Sequence, residues 1–350
     1  MALHPNPIIS EDIKFILSAG LPWEEFRDKT ILISGANGFL PAYLVFSLMA
    51  LEETLGIPCK VIALLRNQQR GESRFSHLLS RPDFTLLARD VSIPFSVNEK
   101  IDFIIHAASQ ASPKYYGADP VGTLSANVSG TLNLLKLGSE NGASRFLYFS
   151  SSEVYGQLSE EKIPTKETDF GFVDPTQVRA CYAESKRMGE NIAVSWMHQY
   201  SLPALIVRPF HTYGPGMALD DGRVYADFIA DIVANRDIKL NSDGSAIRAF
   251  CYIADASVAF FTVLLKGEPG QAYNVGNRNG ESSILQLANL LTGMYPEKNL
   301  TVIRFESQEA GYIKSVVSKI VPDTEKIRKL GWNASFNLEK GFDRTIKSYA

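Results

Sequence analysis

Apolar residues recur over the first two hundred positions in short unbroken runs, separated by longer amphipathic stretches. The runs at 30–34, 60–65, 84–87, 101–106, 145–150 and 204–207 are rich in Ile, Leu, Val and Phe. Near-continuous apolar runs of this length predict strands buried on both faces. Between them, 122–138 and 183–200 read as helices. Alternating strands and helices predict an α/β architecture, a doubly wound parallel sheet. After about Pro209 short strands and helices mix with Gly, Pro and Asn turns. This predicts a smaller C-terminal α+β part packed at the carboxyl edge of the sheet, where ligands of open α/β sheets bind. Residues 1–27 precede the first strand as an extension. Ser10 is placed to cap a helix there through about Ala19, and packing is its expected role.

Composition narrows the class without changing this picture. The chain has 350 residues, 45% apolar and 21% charged, as expected of a soluble globular protein. A net charge of −3 predicts no nucleic-acid or anionic-membrane surface. The longest apolar run, 39–51, is too short to span a membrane and contains Pro41. The N-terminus has no basic stretch followed by an apolar core, so no signal peptide is read. Three scattered cysteines argue for a reducing compartment, and a cytoplasmic location is expected. Five scattered histidines offer no metal site.

Directly after the first run stands Gly35-Ala36-Asn37-Gly38-Phe39-Leu40, and an apolar helix follows. A strand, a glycine turn and a helix N-terminus together form a pyrophosphate cradle, because glycine admits close backbone approach and the helix end offers free N–H groups. A plain tight turn has the same two glycines. Its placement at the first strand-to-helix junction favours the cradle. The third glycine of such loops is replaced by Pro41, which the first turn of a helix tolerates. At the end of the second strand the acid that binds NAD ribose is absent, and Arg66 stands there. An arginine suits the 2′-phosphate of NADP; a solvated surface charge is the competing reading. Asp90, after the third strand, suits either the adenine amino group or a turn cap.

Tyr182 and Lys186 lie four apart, on one helical face. A free phenol has a pKa of about 10 and is a poor base at neutral pH. A nearby ammonium stabilises phenolate, so the pair can take a proton from a substrate hydroxyl. Alone, a Tyr and a Lys at this spacing are weak evidence. Ser150-Ser151-Ser152-Glu153-Val154-Tyr155-Gly156 strengthens them, since it places serine hydroxyls at the end of the fifth strand.

These motifs resemble the extended short-chain dehydrogenase/reductases that modify nucleotide sugars. The likeness runs from about Thr30 to the C-terminus and is carried by GANGFL (35–40), HAAS (106–109), SANVSGTLNLL (125–135), SSSEVYG (150–156), YAESK (182–186) and RPFHTYGPGM (208–217). It implies a Rossmann-type dinucleotide-binding domain over 28–208 and a nucleotide-sugar domain over 209–350. It also implies a tightly held NAD and a homodimer built from helices around 122–141 and 176–200. On this likeness Gly35, Asn37, Gly38, Phe39, Leu40, Arg66, Asp90, Val91, Ala107, Ala108, Ser109, Asn127, Tyr182, Lys186 and Pro209 contact the cofactor. Within the family the chain is similar to UDP-glucuronate decarboxylases, through Arg179-Ala180-Cys181-Tyr182, Asp221-Gly222-Arg223-Val224, Arg248-Ala249-Phe250, Tyr273-Asn274-Val275-Gly276-Asn277 and Leu330-Gly331-Trp332. That similarity makes Ser151 the catalytic hydroxyl and Glu153 an extra acid/base. Ser152, Arg223 and Arg248 become substrate contacts, Arg223 and Arg248 apt partners for multi-oxygen anions. His211 stands where the decarboxylases usually have Asn, and is expected to touch substrate or to be a satisfied buried histidine.

The shared first step is oxidation at C4 of the sugar. If C6 is a carboxylate, the product is a β-keto acid and loses CO₂. If C6 is a hydroxymethyl group, water is eliminated; if nothing leaves, reduction on the other face gives a C4 epimer. Dehydratases usually carry Asp directly before the Glu, and here that residue is Ser152, which argues against dehydration. Epimerases manage without the Glu. Retention of Glu153 favours decarboxylation, with epimerisation next. A dinucleotide-binding scaffold without catalysis is the alternative of another class, and the complete Ser151/Tyr182/Lys186 set argues against it.

Overall fold

The computed structural model describes residues 3–112, 114–304 and 318–350. The six expected strands are all present: β1 Thr30–Ser34, β2 Lys60–Leu65, β3 Phe84–Ala88, β4 Phe103–His106, β5 Arg145–Phe149 and β6 Ala204–Pro209. β7 His211–Tyr213, β8 Ile238–Leu240, β9 Ile247–Tyr252 and β10 Ala272–Val275 follow. β10 joins the main sheet, whose order is β10-β6-β5-β4-β1-β2-β3. Every neighbour in it is parallel. The sheet therefore takes a seventh strand from beyond position 209.

The unbroken apolar runs are explained by burial on both faces. Along β1, Ile31 and Ile33 enter one core with Phe26 and Phe261. Leu32 enters the other with Ile104, Leu134 and Phe146. Successive residues of a strand point to opposite faces, so both sets must be apolar. The strand order turns back between β4 and β1, and the cleft opens there at the carboxyl edge. In the smaller part, β9 lies between β11 Glu281–Ser283 and β13 Lys319–Ile320 and also pairs with β7. β12 Val302–Arg304 pairs with β8.

Two sequence expectations are corrected. The N-terminal helix runs Pro7–Leu17, and its cap is Asn6, which accepts from the N–H groups of Ile8 and Ile9 at 3.0 and 3.2 Å. Ser10 lies inside the helix, where its hydroxyl accepts from Leu3 N–H. Proline favours the first helical position, so the residue before Pro7 becomes the cap. The helix expected over 122–138 is two, Pro120–Asn127 and Ser129–Asn141, broken at Val128. There the Thr131 hydroxyl takes the Asn127 carbonyl at 2.5 Å.

The extension packs as a strap across both parts of the molecule. Asp12 is fully buried. Its carboxylate accepts from Tyr43 (3.1 Å) on the first helix after the glycine loop, from Tyr252 (2.7 Å) at the end of β9, and from Arg344 (2.7 Å) near the C-terminus. Trp23, buried after the helix, donates to Leu17 O at 3.1 Å.

Candidate active site

A cleft of about 980 Å³ runs along the carboxyl ends of the central strands. Each strand end delivers part of its wall: Gly35 after β1, Arg66 after β2, Asp90 after β3, Ala107 after β4, Ser150 and Ser151 after β5, and Pro209 at the end of β6. Asn37, Gly38, Phe39, Leu40, Val91, Ala108 and Ser109 line the same end of the cleft. Ser152, Glu153, Tyr182, Lys186, His211, Arg223 and Arg248 line the other.

Asn127 is the exception among the expected site residues. It does not reach the cleft wall but is fully buried behind it, donating its amide to Ser185 Oγ at 3.0 Å. Its side-chain oxygen has no partner among the described atoms. Asp90 serves as a turn cap: its carboxylate accepts from Ser92 N–H at 2.9 Å and from the Ser92 hydroxyl at 2.7 Å.

The residues present fit a dinucleotide. Gly35 has φ +66°, and a Cβ there would meet Ala108 Cα at 2.6 Å, so only glycine keeps the loop against β4. Gly38 opens the following helix with no side-chain cap, leaving its first N–H groups to face the cleft. The Ser109 hydroxyl is buried in this wall without a partner among the described residues.

The helix Cys181–Tyr200 brings Tyr182 and Lys186 under the serines of β5. Ser151 and Tyr182 line the same stretch of the cleft, and the Ser151 hydroxyl accepts from Glu153 N–H at 3.2 Å. Lys186 Nζ donates to Phe149 O at 2.6 Å and lies 5.8 Å from the Tyr182 ring centre. Burial dominates both groups. It pushes the phenol up to about 12, against the opposing influence of the Ser151 hydroxyl and the charge of Arg223. It pushes the Lys186 ammonium down to about 7. Burial thus opposes the lowering that a neighbouring ammonium exerts on the phenol, and it acts on the ammonium as well.

Two contacts of the site, those of Tyr116 and Arg179, have no periodic signature in the sequence, and a third orients Arg223, an expected substrate contact. Tyr116 stacks flat on Tyr182, ring centres 4.9 Å apart and planes 16° off parallel. Arg179 pairs with Glu153 at 3.5 Å and sits 5.9 Å above the Tyr116 ring. Arg223 is fixed by Asp221 at 2.5 Å and by Ala111 O at 3.1 Å. The Arg179-Ala180-Cys181 triplet marks only the likeness to the decarboxylases, and a residue 26 positions from its partner shows no periodic pattern.

His211 and Arg248 come together through strand pairing, since β7 lies beside β9 with His211 opposite Phe250. His211 is half-buried in the cleft wall, and its Nδ1, shielded from solvent, has no partner among the described residues. Burial first, then the charges of Arg248 and Arg223, push it down to about 3, so the imidazole is neutral at physiological pH. Arg248 is itself buried and donates to Ile247 O at 2.8 Å. Arginines, a neutral imidazole, a carboxylate and a phenol–serine pair thus share one cleft. Such a set can bind a multiply anionic molecule and move a proton at one hydroxyl.

A profile of the NAD dependent epimerase/dehydratase family matches residues 31–276. UDP-glucuronic acid decarboxylase 1 of Arabidopsis thaliana is 34% identical over 320 residues, 91% of this chain and 69% of that one. Among solved structures, UDP-glucose 4-epimerase of Thermotoga maritima with UDP-glucose superposes with a TM-score of 0.74 at 21% identity, covering 91% of this chain and 98% of that one. RMD of Pseudomonas aeruginosa complexed with NADPH superposes with a TM-score of 0.69 at 25% identity, over 92% and 98%. Among the described residues no helix is long and apolar enough to cross a membrane.

Proposed function

We propose that this chain, which belongs to the NAD dependent epimerase/dehydratase family, is a nucleotide-sugar decarboxylase acting on UDP-glucuronate or a near relative. The observation that carries the reading is the convergence of Glu153 and Arg248 on the cleft that also holds Tyr182 and Ser151. A buried arginine there offers a carboxylate a planar, charged partner. Glu153 offers an acid/base beyond the one Tyr182 supplies.

Arg223 holds the diphosphate and Arg248 the sugar carboxylate. Ser151 binds the C4 oxygen, and Tyr182 takes the C4 hydroxyl proton. Bound nicotinamide supplies the hydride acceptor for this oxidation and the donor for its reversal. With a ketone at C4, the C6 carboxylate belongs to a β-keto acid. The C5–C6 bond breaks, CO₂ leaves and its electron pair remains as an enolate, to which Glu153 delivers at C5 a proton that it draws from solvent, with which its half-exposed carboxyl is in contact. Tyr182 then gives its proton back to the C4 oxygen. Ser152, where dehydratases usually hold an Asp, is too weak an acid to expel a hydroxyl group.

The test is CO₂ release from UDP-glucuronate by cofactor-loaded protein, and its loss in Tyr182→Phe. Unchanged substrate from intact, loaded enzyme would sink the reading; a C4 epimer without CO₂ would replace it with epimerisation.

We also infer a homodimer. Val121, Leu124 and Leu132 are exposed on the helices Pro120–Asn127 and Ser129–Asn141, and Met188 and Val194 on Cys181–Tyr200. Apolar side chains on adjoining helices suit a helix-to-helix contact. Leu132→Glu with Met188→Glu should halve the mass seen by sedimentation. A cytoplasmic setting is supported by three free, buried cysteines.

A further inference from the structure

We propose that the adenosine end of the cleft is built for the 2′-phosphorylated nicotinamide dinucleotide, NADP(H). This rests on the dinucleotide-binding part of the reading above and not on the fate of the sugar. In such sheets the adenosine ribose lies at the end of the second strand. A carboxylate there accepts from the ribose hydroxyls, whereas an arginine meets a phosphate.

Here β2 ends on buried Leu65, and Arg66 and Asn67 follow. Asn67 turns its side-chain oxygen toward its own chain, accepting from Arg70 N–H at 3.0 Å. Neither side chain serves a ribose diol as an acid would. Positive charge collects at the same place instead. Leu65 pairs in register with Ala88 of β3, so Arg66 and Arg89 leave adjacent strand ends side by side. Arg70 follows Arg66 by four residues, and all three arginines line the cleft. Arg89 uses one N–H on Ala88 O at 2.9 Å and keeps its other donors. The carboxylate at this end, Asp90, is engaged by Ser92 through both backbone and hydroxyl. The other acids lining the cleft, Glu153, Asp221 and Asp243, stand among the candidate substrate residues or on the smaller part of the chain.

Among the described residues, a ribose 2′-hydroxyl placed here meets three guanidinium groups, while the two carboxylates near Arg66 are engaged elsewhere, Asp90 by Ser92 and Asp119 by Gln110 and Gly122 N–H. A 2′-phosphate meets the same groups as a near-dianion with three acceptor oxygens, the geometry that planar, forked donors match. All three arginines are solvent-exposed, so each contact is partly screened by salt.

The test uses full-length protein and no sugar. Protein as purified is denatured, and the released dinucleotide is identified by mass spectrometry. Protein freed of cofactor is then titrated with NADPH and NADH by nicotinamide fluorescence, and with adenosine 2′,5′-bisphosphate and AMP by calorimetry. The expected result is NADP(H) in the released fraction and NADPH bound at least about tenfold tighter than NADH, with the bisphosphate ahead of AMP by a similar factor. Arg66→Ala combined with Arg89→Ala should erase most of that preference, weakening NADPH by about tenfold more than NADH. Released NAD(H), NADH bound as tightly as NADPH, or a preference that survives the double substitution would each overturn the proposal. Failure of CO₂ release leaves these titrations unaffected, so the two readings fall separately.

Discussion

Replacing Asp12 with Ala removes the carboxylate at the centre of the N-terminal strap. Asp12 is fully buried and accepts from two tyrosine hydroxyls and from Arg344, whose side chain is 18% exposed. Burial pushes the Asp12 carboxyl up against the pull of Arg344 and the tyrosines. The pair is therefore not a large net source of stability. Breaking it from one side is costly all the same, because Arg344 and the Tyr43 hydroxyl are left buried without their acceptor. One-sided removal of a buried ion-pair partner costs about 3–5 kcal/mol. Arg344 retains Glu11 at 2.8 Å, which places the expected loss near the lower bound, about 3 kcal/mol. Urea unfolding followed by tryptophan fluorescence measures it, since Trp23 packs directly behind the same helix. Asp12→Leu with Arg344→Met, which removes both charges, should cost less than Asp12→Ala alone. A loss below about 1 kcal/mol in Asp12→Ala would refute the strap as a structural tie, as would a double variant worse than the sum of its singles.

Other consequences follow from the site. Lys186 has a folded pKa of about 7, below its unfolded value, so the folded chain binds fewer protons between them and its stability rises with pH from about 7 to 10. Lys186→Met abolishes that rise, and the stability difference between the two cofactor-free proteins should change by up to about 1.4 kcal/mol per pH unit in this window; parallel curves would contradict it. His211 is pushed down to about 3, so wild type and His211→Asn should show parallel pH profiles for nucleotide-sugar affinity from pH 5.5 to 8; a break near 6.5 in the wild type alone would show a titrating imidazole. Gly189 faces Tyr148, whose hydroxyl would lie 2.0 Å from an added Cβ, so Gly189→Ala should cost about 1–3 kcal/mol by overpacking; unchanged thermal unfolding would refute this.

By itself the sequence determined the six central strands, the glycine cradle and the serine, tyrosine and lysine of the proposed chemistry. These are local properties. A strand buried on both faces must be apolar throughout, a cradle needs Gly35 at positive φ, and two residues four apart share a helical face. Tertiary structure decided what depends on distant partners. Asp12 meets Arg344 across 332 positions, and no periodicity announces such a contact. β10 joins the sheet only because the intervening chain returns it beside β6. Asn127 belongs to a motif but is withdrawn behind the wall by Ser185. Above all, the balance at Tyr182 and Lys186 could not be read from spacing. Spacing sets an ammonium beside the phenol, but desolvation grows with the burial of the whole site, which packing alone decides and which pushes the phenol up and the ammonium down.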